Sequence, residues 1–345
     1  MKRVAVLLMN LGGPETQADV RGFLYNLFED KRIINLPFGI RQGVASMVAN
    51  RRAPAARKNY MHMGGGSPIL KETQAQADAL QRYIAARSKG IEVRVFVGMR
   101  YWHPFIEETA AEISVYKPDE IVLLPLYPQF SSTTTLTAFE AFERAYRGKA
   151  SVKRVCCYAN NGHFIKAHTD LVRARLKSLS SLDSYRVLFS AHGLPQQIVD
   201  RGDPYQAQVE ATVARVVEGL GAEIAKGLEY AVCYQSRVGP LKWLEPSTDA
   251  AIRQAGKDGK SVIVVPIAFV SEHIETLVEL DIDYAKLAVE NGVPDYIRIP
   301  ALGTDSNYIR ALNDEVIKAL GSNDNVIGDE DCAACHAFCP KRRPK

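Results

Sequence analysis

The sequence contains no run of about eighteen consecutive apolar residues, the length that a helix needs to cross a bilayer. We therefore expect no membrane-spanning segment. Positive charge is in small excess, because 43 Lys and Arg residues face 39 Asp and Glu residues, which gives a net charge of +4. A domain that binds nucleic acid usually carries a more basic surface. The composition therefore gives no support for a nucleic-acid partner.

The chain also lacks the common nucleotide-binding motifs. Asn10–Pro14 follows an apolar segment but does not match G-x-G-x-x-G, and Met63–Pro68 has adjacent glycines without the lysine of a P-loop. We interpret both as tight turns that let the backbone approach a ligand. The amino-terminal segment has no small-residue cleavage site, so it is predicted to form a buried strand rather than a signal peptide. A cytoplasmic location is expected.

What is present is a regular alternation of apolar strands and amphipathic helices over 345 residues. The predicted strands are Val4–Met9, Glu92–Gly98, Glu120–Leu126, Ser151–Tyr158, Tyr185–Ser190, Glu229–Cys233, Ser261–Ala268 and Tyr296–Ile299. The predicted helices include Thr73–Ser88, Phe105–Val115, Phe139–Tyr146, Gly162–Ser178, Tyr205–Gly219, Pro246–Ala255, Ile274–Glu290 and Ser306–Leu320. This alternation predicts an α/β protein whose parallel sheets are flanked by helices.

The two halves of the chain resemble each other. Residues 121–128 and 262–269 are both apolar strands interrupted by a proline. We expect two similar Rossmann-like lobes, residues 1–162 and 163–321, with a ligand cleft between them. A polar, cysteine-bearing tail is expected over residues 322–345.

Residues 31–52 do not follow a strand rhythm. Apolar side chains such as Phe38 and Met47 stand beside basic ones such as Arg51. This composition is typical of a lip over a pocket or of a segment that touches the inner face of a membrane. A long packed excursion between a strand and a helix is the alternative.

Titratable side chains follow two predicted strands of the second lobe. His192 follows one, and the acids Glu272, Glu275 and Glu279, with His273 among them, follow another. Ligands of open α/β sheets bind at the carboxyl ends of the strands. Carboxylates beside a histidine attract cations and relay protons. A solvated acidic helix face and a structural histidine are the alternatives. Because His192 and the acids are expected at the same sheet edge, a catalytic site is favoured.

Met99–Pro104 offers a cation and aromatic rings directly after another predicted strand. Arg100 would bind a carboxylate, and the rings of Tyr101 and Trp102 would stack on a flat molecule. A flat, carboxylated aromatic ligand is therefore expected, and an aromatic corner that closes the core is the alternative.

Three of the six cysteines, Cys332, Cys335 and Cys339, lie close together near the carboxyl terminus. In a cytosolic protein such a cluster indicates metal binding rather than disulfides. Cys156 and Cys157 are candidates for a fourth ligand, and since neighbouring residues of a strand point to opposite sides, only one of them is expected to reach. Zinc and an iron–sulfur cluster both fit the spacing.

Taken together, these segments resemble the ferrochelatase family, and the resemblance covers about residues 3–320. The segments that contain His192 and Glu275 are highly specific to the family. The matching segments are Asn10–Val20, Tyr60–Ile69, Arg100–Pro104, Leu124–Phe130, Ser190–Pro195, Asp200–Tyr205, Tyr234–Pro240 with Trp243, and Val265–Asp281.

The resemblance implies a lyase that inserts Fe²⁺ into protoporphyrin IX to form protohaem, the last step of haem biosynthesis. His192 and Glu275 would be the central pair that handles the metal and the pyrrole protons, and Glu279 and Glu272 would extend an acidic path for the iron. The alternatives are coproporphyrin or sirohydrochlorin as the acceptor, or a haem- or iron-binding protein without turnover.

The resemblance also implies residues that line the porphyrin site. Arg100 and Tyr101 would face the opposite side of the macrocycle, and Leu11, Ser67 and Trp243 map to positions in the pocket lining. It leaves open whether the protein is a monomer or a homodimer.

The tail resembles an extension that carries a 2Fe–2S cluster in a subset of the family, with the three tail cysteines as ligands. In the animal enzymes the fourth ligand comes from the segment matching Pro128–Thr134, where this chain has hydroxyl side chains. Cys157, or else Cys156, would have to replace it. Zinc at the same cysteines is the alternative.

Overall fold

Two parallel sheets, each with its own helices, organise the chain. The computed structural model describes residues 1–87, 90–237, 239–329 and 337–341. These residues divide into two units. The first contains Met1–Cys156 and Leu312–Ile327, and the second contains Cys157–Ala311 and the described residues from Gly328 onward. The predicted α/β fold class is confirmed. The first unit also includes a late segment, Leu312–Ile327. The sequence analysis, which expects contiguous ranges, places this segment in the second lobe and the tail.

The first unit is built on a parallel sheet whose described strands run in the order β2-β1-β3-β4-β9. The strands are β1 (Lys2–Asn10), β2 (Ile91–Met99), β3 (Glu120–Pro125), β4 (Ser151–Val155) and β9 (Val326–Ile327). The helices are α1 (Val20–Glu29), α2 (Ile40–Met61), α3 (Ile69–Ala85), α4 (Ile106–Tyr116) and α5 (Thr135–Ala145). The central strands β1 and β3 are continuous apolar runs because they are buried on both faces. Their register aligns the carboxyl ends of β1 and β2.

The second unit is built on a parallel sheet whose described strands run in the order β6-β5-β7-β8. The strands are β5 (Tyr185–His192), β6 (Glu229–Gln235), β7 (Ser261–Pro266) and β8 (Tyr296–Arg298). The helices are α6 (Gly162–Lys177), α7 (Gln196–Asp200), α8 (Tyr205–Gly219), α9 (Ala222–Gly227), α10 (Thr248–Lys257), a π-helix (Glu275–Tyr284) and α11 (Ala285–Glu290). α12 (Ser306–Gly321) begins in this unit and ends in the first.

All eight strands predicted from the sequence are present, and each differs from its predicted bounds by three residues or fewer. The short strand β9 was not predicted, because two residues give no detectable alternation. It pairs with β4 through Arg154 and Val155. The helices α1 and α2 were not predicted either, and the second of them changes the interpretation of residues 31–52.

Residues 31–52, which we call the lip, are partly helical. Its second half belongs to α2, whose buried side chains Ala45, Ala49 and Ala53 recur every four residues and form one narrow face. On the opposite side of α2, Met47 is 63% exposed, and Phe38, which lies just before the helix, is 82% exposed. Within the described residues, no helix combines the length and the apolar character needed to cross a membrane.

Candidate active site

The carboxyl end of β5 carries the histidine of the site. β5 pairs with β6 on one side and β7 on the other, and its last residue, His192, lies opposite Gln235. Gly193 then allows a close approach, since a Cβ there would lie 2.9 Å from the Gln235 carbonyl oxygen and 3.3 Å from Cε3 of Trp243. Trp243 also pairs through its backbone with Pro195. The predicted pocket residue Trp243 therefore lies against the loop that follows His192.

A π-helix brings the acids to His192. The sequence predicts one α-helix over Ile274–Glu290, but the structure has a π-helix over Glu275–Tyr284, followed by the α-helix α11. π-Helical turns are rare and often occur at functional sites. Glu275 and Glu279 both contact the side chain of Ser236. The two acids therefore lie on the same side of the π-helix.

His192 and Glu275 form a hydrogen-bonded pair, with Nδ1 and Oε2 2.7 Å apart. Burial lowers the pKa of His192, but the charge of Glu275 and its hydrogen bond outweigh this effect, so the pKa lies above its usual value. Burial acts to raise the pKa of Glu275, but His192 acts more strongly and lowers it to about 2. Because Nδ1 donates to the carboxylate, Nε2 is the ring nitrogen that can accept a proton.

Glu279 is held by three further side chains and by a backbone amide. Its Oε1 accepts from the Ser236 N–H (2.9 Å) and the Tyr284 hydroxyl (3.1 Å), and its Oε2 accepts from Nε2 of Gln235 (2.9 Å) and lies 2.5 Å from Oγ of Ser236. Burial raises the pKa of Glu279, the charge of Glu275 raises it further, and the hydrogen bonds oppose both in part. Glu275 therefore retains its charge while Glu279 takes up a proton more readily.

Two other predicted residues have different partners. Oε1 of Glu272 accepts from Nη1 of Arg298 at 2.6 Å. Glu272 is therefore ion-paired with Arg298, which also binds Asp281 through Nη2 at 2.5 Å. His273 is 7% exposed, and its Nδ1 donates to a backbone carbonyl 3.0 Å away. Its Nε2 lies 4.0 Å from Oε1 of Glu275, and burial lowers the pKa of His273.

The first unit gathers the other predicted pocket residues where β1 and β2 end. The Tyr101 N–H donates to the Leu11 carbonyl at 3.0 Å, which joins the loops after the two strands and brings Arg100 beside Leu11. Ser67 is tied to the same region, because its N–H donates to the Pro14 carbonyl at 2.7 Å. Leu11, Arg100 and Tyr101 thus lie at one sheet edge, where β1 and β2 end, and Ser67 is joined to them through the loop after β1.

Asp30 is a partner that the sequence analysis missed. Its side chain is 3% exposed, and its Oδ2 accepts from Nη2 of Arg100 (2.6 Å) and from the hydroxyl of Tyr101 (3.1 Å). Nε of Arg100 donates to Thr137 at 3.1 Å. These bonds hold the guanidinium of Arg100, which keeps 17% of its side chain exposed. The Tyr101 ring is buried, and burial together with the Asp30 charge raises the pKa of its hydroxyl.

The predicted metal-binding cysteines are partly described. Cys156, Cys157 and Cys339 are buried, whereas Cys332 and Cys335 lie outside the described residues. In the part of the chain that is described, no group of three or more His, Cys, Asp and Glu side chains is arranged to hold a metal ion.

Solved structures share the architecture of this chain. SirB from Bacillus subtilis with Fe³⁺ matches with a TM-score of 0.53 at 14% identity, over 93% of this chain and 96% of that one. CbiX, the terminal enzyme for siroheme biosynthesis in denitrifying bacteria, matches with a TM-score of 0.51 at 13% identity, over 91% of this chain and 98% of that one. The chain shares the fold of these chelatases, and its second unit holds a hydrogen-bonded cluster of a histidine and two carboxylates.

Sequence comparison identifies the family within this class. The ferrochelatase family profile matches residues 3–320. A ferrochelatase of Caulobacter vibrioides is 48% identical over 345 residues, 99% of this chain and 98% of the relative. One of Rickettsia bellii is 47% identical over 324 residues, 94% of this chain and 89% of the relative. The chain belongs to the ferrochelatase family, which confirms the prediction of an enzyme, a lyase of haem biosynthesis.

Proposed function

We propose that the protein inserts Fe²⁺ into protoporphyrin IX to form protohaem. The observation that carries this proposal is the hydrogen-bonded pair of His192 and Glu275, with Glu279 beside it, in a chain of the ferrochelatase family. A free-base porphyrin carries two pyrrole N–H protons, which must leave before its nitrogens can bind a metal. Nε2 of His192 accepts such a proton, and the charge of Glu275 stabilises the imidazolium that forms.

The carboxylates have a second task in this proposal. Ferrous ion is a cation that binds imidazole and carboxylate groups. Glu275 keeps its charge because of its low pKa, so it attracts the substrate iron to the edge of the sheet that holds His192. Glu272 extends this path, although its ion pair with Arg298 reduces its attraction for the iron.

The exposed apolar side chains of the lip support protoporphyrin over coproporphyrin as the acceptor. Protoporphyrin has fewer carboxylates and is less polar, so it suits a protein with apolar groups such as Phe38 and Ile40 in solvent. The test is an anaerobic metallation assay with Fe²⁺, and with Zn²⁺ in parallel, on both porphyrins. We expect a higher kcat/KM for protoporphyrin. A preference for coproporphyrin would reverse the substrate assignment, and tight haem binding with no metallation would indicate a carrier.

The lip also supports a peripheral contact between a cytoplasmic protein and the membrane surface. Phe38, Ile40 and Met47 are 82%, 60% and 63% exposed, and Arg51 and Arg52 lie near them in the chain, a combination that binds anionic bilayers. Replacing both Phe38 and Met47 by Glu should abolish co-sedimentation with phosphatidylglycerol vesicles.

Val115→Glu is the matched control for this experiment, because Val115 is 80% exposed on a different helix, α4. This variant should sediment with vesicles as the wild type does. If the lip variant sediments equally well, the lip does not contact the membrane.

We also propose that the tail binds a 2Fe–2S cluster. Its ligands would be Cys332, Cys335 and Cys339, with Cys157 as the fourth. Lys341, two residues after Cys339, donates from Nζ to the Gly328 carbonyl at 3.2 Å. Asp329, the next residue, accepts from the Asn160 N–H at 3.0 Å, close to Cys157 in the chain. These bonds hold the segment around Cys339 to the segment around Cys157.

Cys156 fits the role less well. Its N–H donates to the Ile327 carbonyl at 2.7 Å, so its backbone is engaged in the pairing of β4 with β9, in the other unit. When bound, the cluster would cross-link the tail to the segment around Cys157 through iron–thiolate bonds.

The cluster assignment is tested by iron, sulfide and zinc analysis of protein purified without oxygen. We expect Cys157→Ser to lose iron and sulfide together with the visible absorption of the cluster, and Cys156→Ser to retain them. The reverse result would make Cys156 the ligand, and one zinc per chain without sulfide would replace the cluster by a zinc site.

A further inference from the structure

Two side chains of β8 bond to the π-helix from outside the cluster around His192. Arg298 donates from Nε to Oδ1 of Asp281 at 2.8 Å and from Nη2 to Oδ2 at 2.5 Å. The hydroxyl of Tyr296 donates to the backbone carbonyl of Leu280 at 2.8 Å. β8 therefore holds two consecutive residues of the π-helix, one through its side chain and the other through its backbone. We call these bonds the β8 clip.

The same guanidinium also fixes the chain just before the π-helix. Nη1 of Arg298 donates to Oε1 of Glu272 at 2.6 Å, and that oxygen also accepts from the Ala301 N–H at 2.9 Å. The Arg298 side chain is 12% exposed, and a planar guanidinium bonded to both oxygens of a carboxylate has a defined orientation. Because Arg298 reaches Glu272 and Asp281 at once, the helix cannot turn about its axis without breaking one of these ion pairs.

A π-helix of this length depends on support from its surroundings. Its hydrogen bonds join residues five apart, and such helices are rare and mostly a single turn long. This one has ten residues, Glu275–Tyr284. If it relaxed to an α-helix, with about 3.6 residues per turn, its two ends would turn relative to each other about the axis. The β8 clip opposes this change because it fixes Leu280 and Asp281, while Glu272 is held before the helix begins.

The acids of the cluster depend on the form of this helix. Oε2 of Glu275 lies 2.7 Å from Nδ1 of His192, and Oε2 of Glu279 accepts from Nε2 of Gln235 at 2.9 Å. His192 and Gln235 belong to β5 and β6, whereas the clip comes from β8, at the other end of the described strand order. The clip therefore supports the π-helix independently of the side chains that Glu275 and Glu279 contact.

We propose that Arg298 and Tyr296 are positioning residues that hold the π-helix in the form in which Glu275 meets His192. This inference deepens the proposed function and rests on it. Neither residue touches the porphyrin or the iron, and both act through the helix. Without the clip the contact between Glu275 and His192 forms for less of the time, which lowers kcat but leaves the surfaces that bind porphyrin unchanged.

Hydrogen–deuterium exchange of the protein without substrates tests whether the clip holds the helix. Asp281→Ala removes the bidentate ion pair and leaves Arg298 bonded to Glu272. We expect the amides of Glu275–Tyr284 to exchange about tenfold faster than in the wild type, because local opening becomes easier, while those of α10 are unchanged. This selective change separates loss of the clip from a general loss of stability, which would speed exchange in both helices.

The metallation assay tests whether the form of the helix matters for the reaction. We expect kcat of Asp281→Ala to fall about tenfold, since a small displacement of a catalytic group lowers the rate, while KM for protoporphyrin is unchanged. Lys286→Ala is the matched control, because it breaks an exposed ion pair between Lys286 and Glu290 in the neighbouring helix α11. This variant should behave as the wild type in both measurements.

Tyr296→Phe provides a second variant should Asp281→Ala fold poorly. It keeps the ring and removes only the hydroxyl, so it should speed exchange of the π-helix about fivefold, as expected for one neutral hydrogen bond. Unchanged exchange in both variants, or faster exchange with unchanged kcat, would overturn the proposal. A wild type that does not metallate porphyrin would overturn the proposed function, whereas the exchange measurement, which needs neither substrate, would still show whether the β8 clip holds the helix.

Discussion

Replacing His192 by alanine is expected to abolish most metal insertion while porphyrin binding survives. In His192, Nε2 is the ring nitrogen left to accept a pyrrole proton, because Nδ1 is bonded to Glu275. Loss of a positioned base costs on the order of 10²–10⁴ in rate. The measurement is steady-state turnover with Fe²⁺ or Zn²⁺ and protoporphyrin, together with porphyrin binding followed by fluorescence quenching.

Binding should survive in this variant because His192 is 39% exposed at the end of β5, and its loss leaves no cavity in the buried core. His62→Ala is the matched control, since His62 is an exposed residue just after α2 and should retain full turnover. Turnover of His192→Ala within threefold of the wild type would remove this residue from the reaction.

The strands of the fold could be predicted because burial on both faces leaves a strong signal in the sequence. β3 and β7 are continuous apolar runs, and each is fully buried. The helices α1 and α2 gave a weaker signal. Apart from Tyr60 near its end, the buried residues of α2 are alanines, which occur equally in buried and in solvent-exposed helix faces. The large apolar groups near the start of α2 point into solvent. Apolar periodicity therefore did not reveal it.

The position of a candidate residue could be predicted where it ends a strand, as His192 does, or directly follows one, as Arg100 does. Its supporting residues were harder to find. Asp30 contacts Arg100 across 70 positions of the chain, and the helix that precedes it was not predicted. Ser236 follows β6, so its position alone could have drawn attention to it. The left-handed backbone at Ser236, where φ is +65°, aims its hydroxyl, and this conformation depends on tertiary contacts and has no sequence signature.

Glu275→Gln is the second change expected to have a large effect. The amide oxygen of glutamine can still accept from Nδ1 of His192, but the charge that stabilises the imidazolium is lost. We expect kcat to fall about a hundredfold. Glu290→Gln, at an exposed acid of α11, should have no effect. Full activity of Glu275→Gln would show that hydrogen bonding alone, without the charge, prepares His192.

The same variant should change the pH dependence of the rate. His192 must be neutral to accept a proton, so kcat/KM rises with pH through the pKa of His192. In the wild type Glu275 raises this pKa above its usual value, which is about 6.5. Removing the charge lowers it, so the rising limb of the profile should move to lower pH in Glu275→Gln. A limb that does not move would mean that another group titrates there.

The His192–Glu275 pair should stabilise the folded protein only over a defined pH range. The raised pKa of His192 means that its contribution is complete below the unfolded pKa of about 6.5 and is lost as pH rises through the folded value. The lowered pKa of Glu275 means that its contribution is complete above the unfolded value of about 4.3 and is lost as pH falls toward about 2. The wild type should therefore exceed Glu275→Gln in Tm most clearly between about pH 4.5 and 6.5. Because the His192 side chain is 39% exposed and partly screened, we expect the free energies of unfolding of the two proteins to differ by about 1 kcal/mol. A difference in Tm that grows above pH 8 would contradict the pairing, because His192 is then losing its proton and the attraction to Glu275 should weaken.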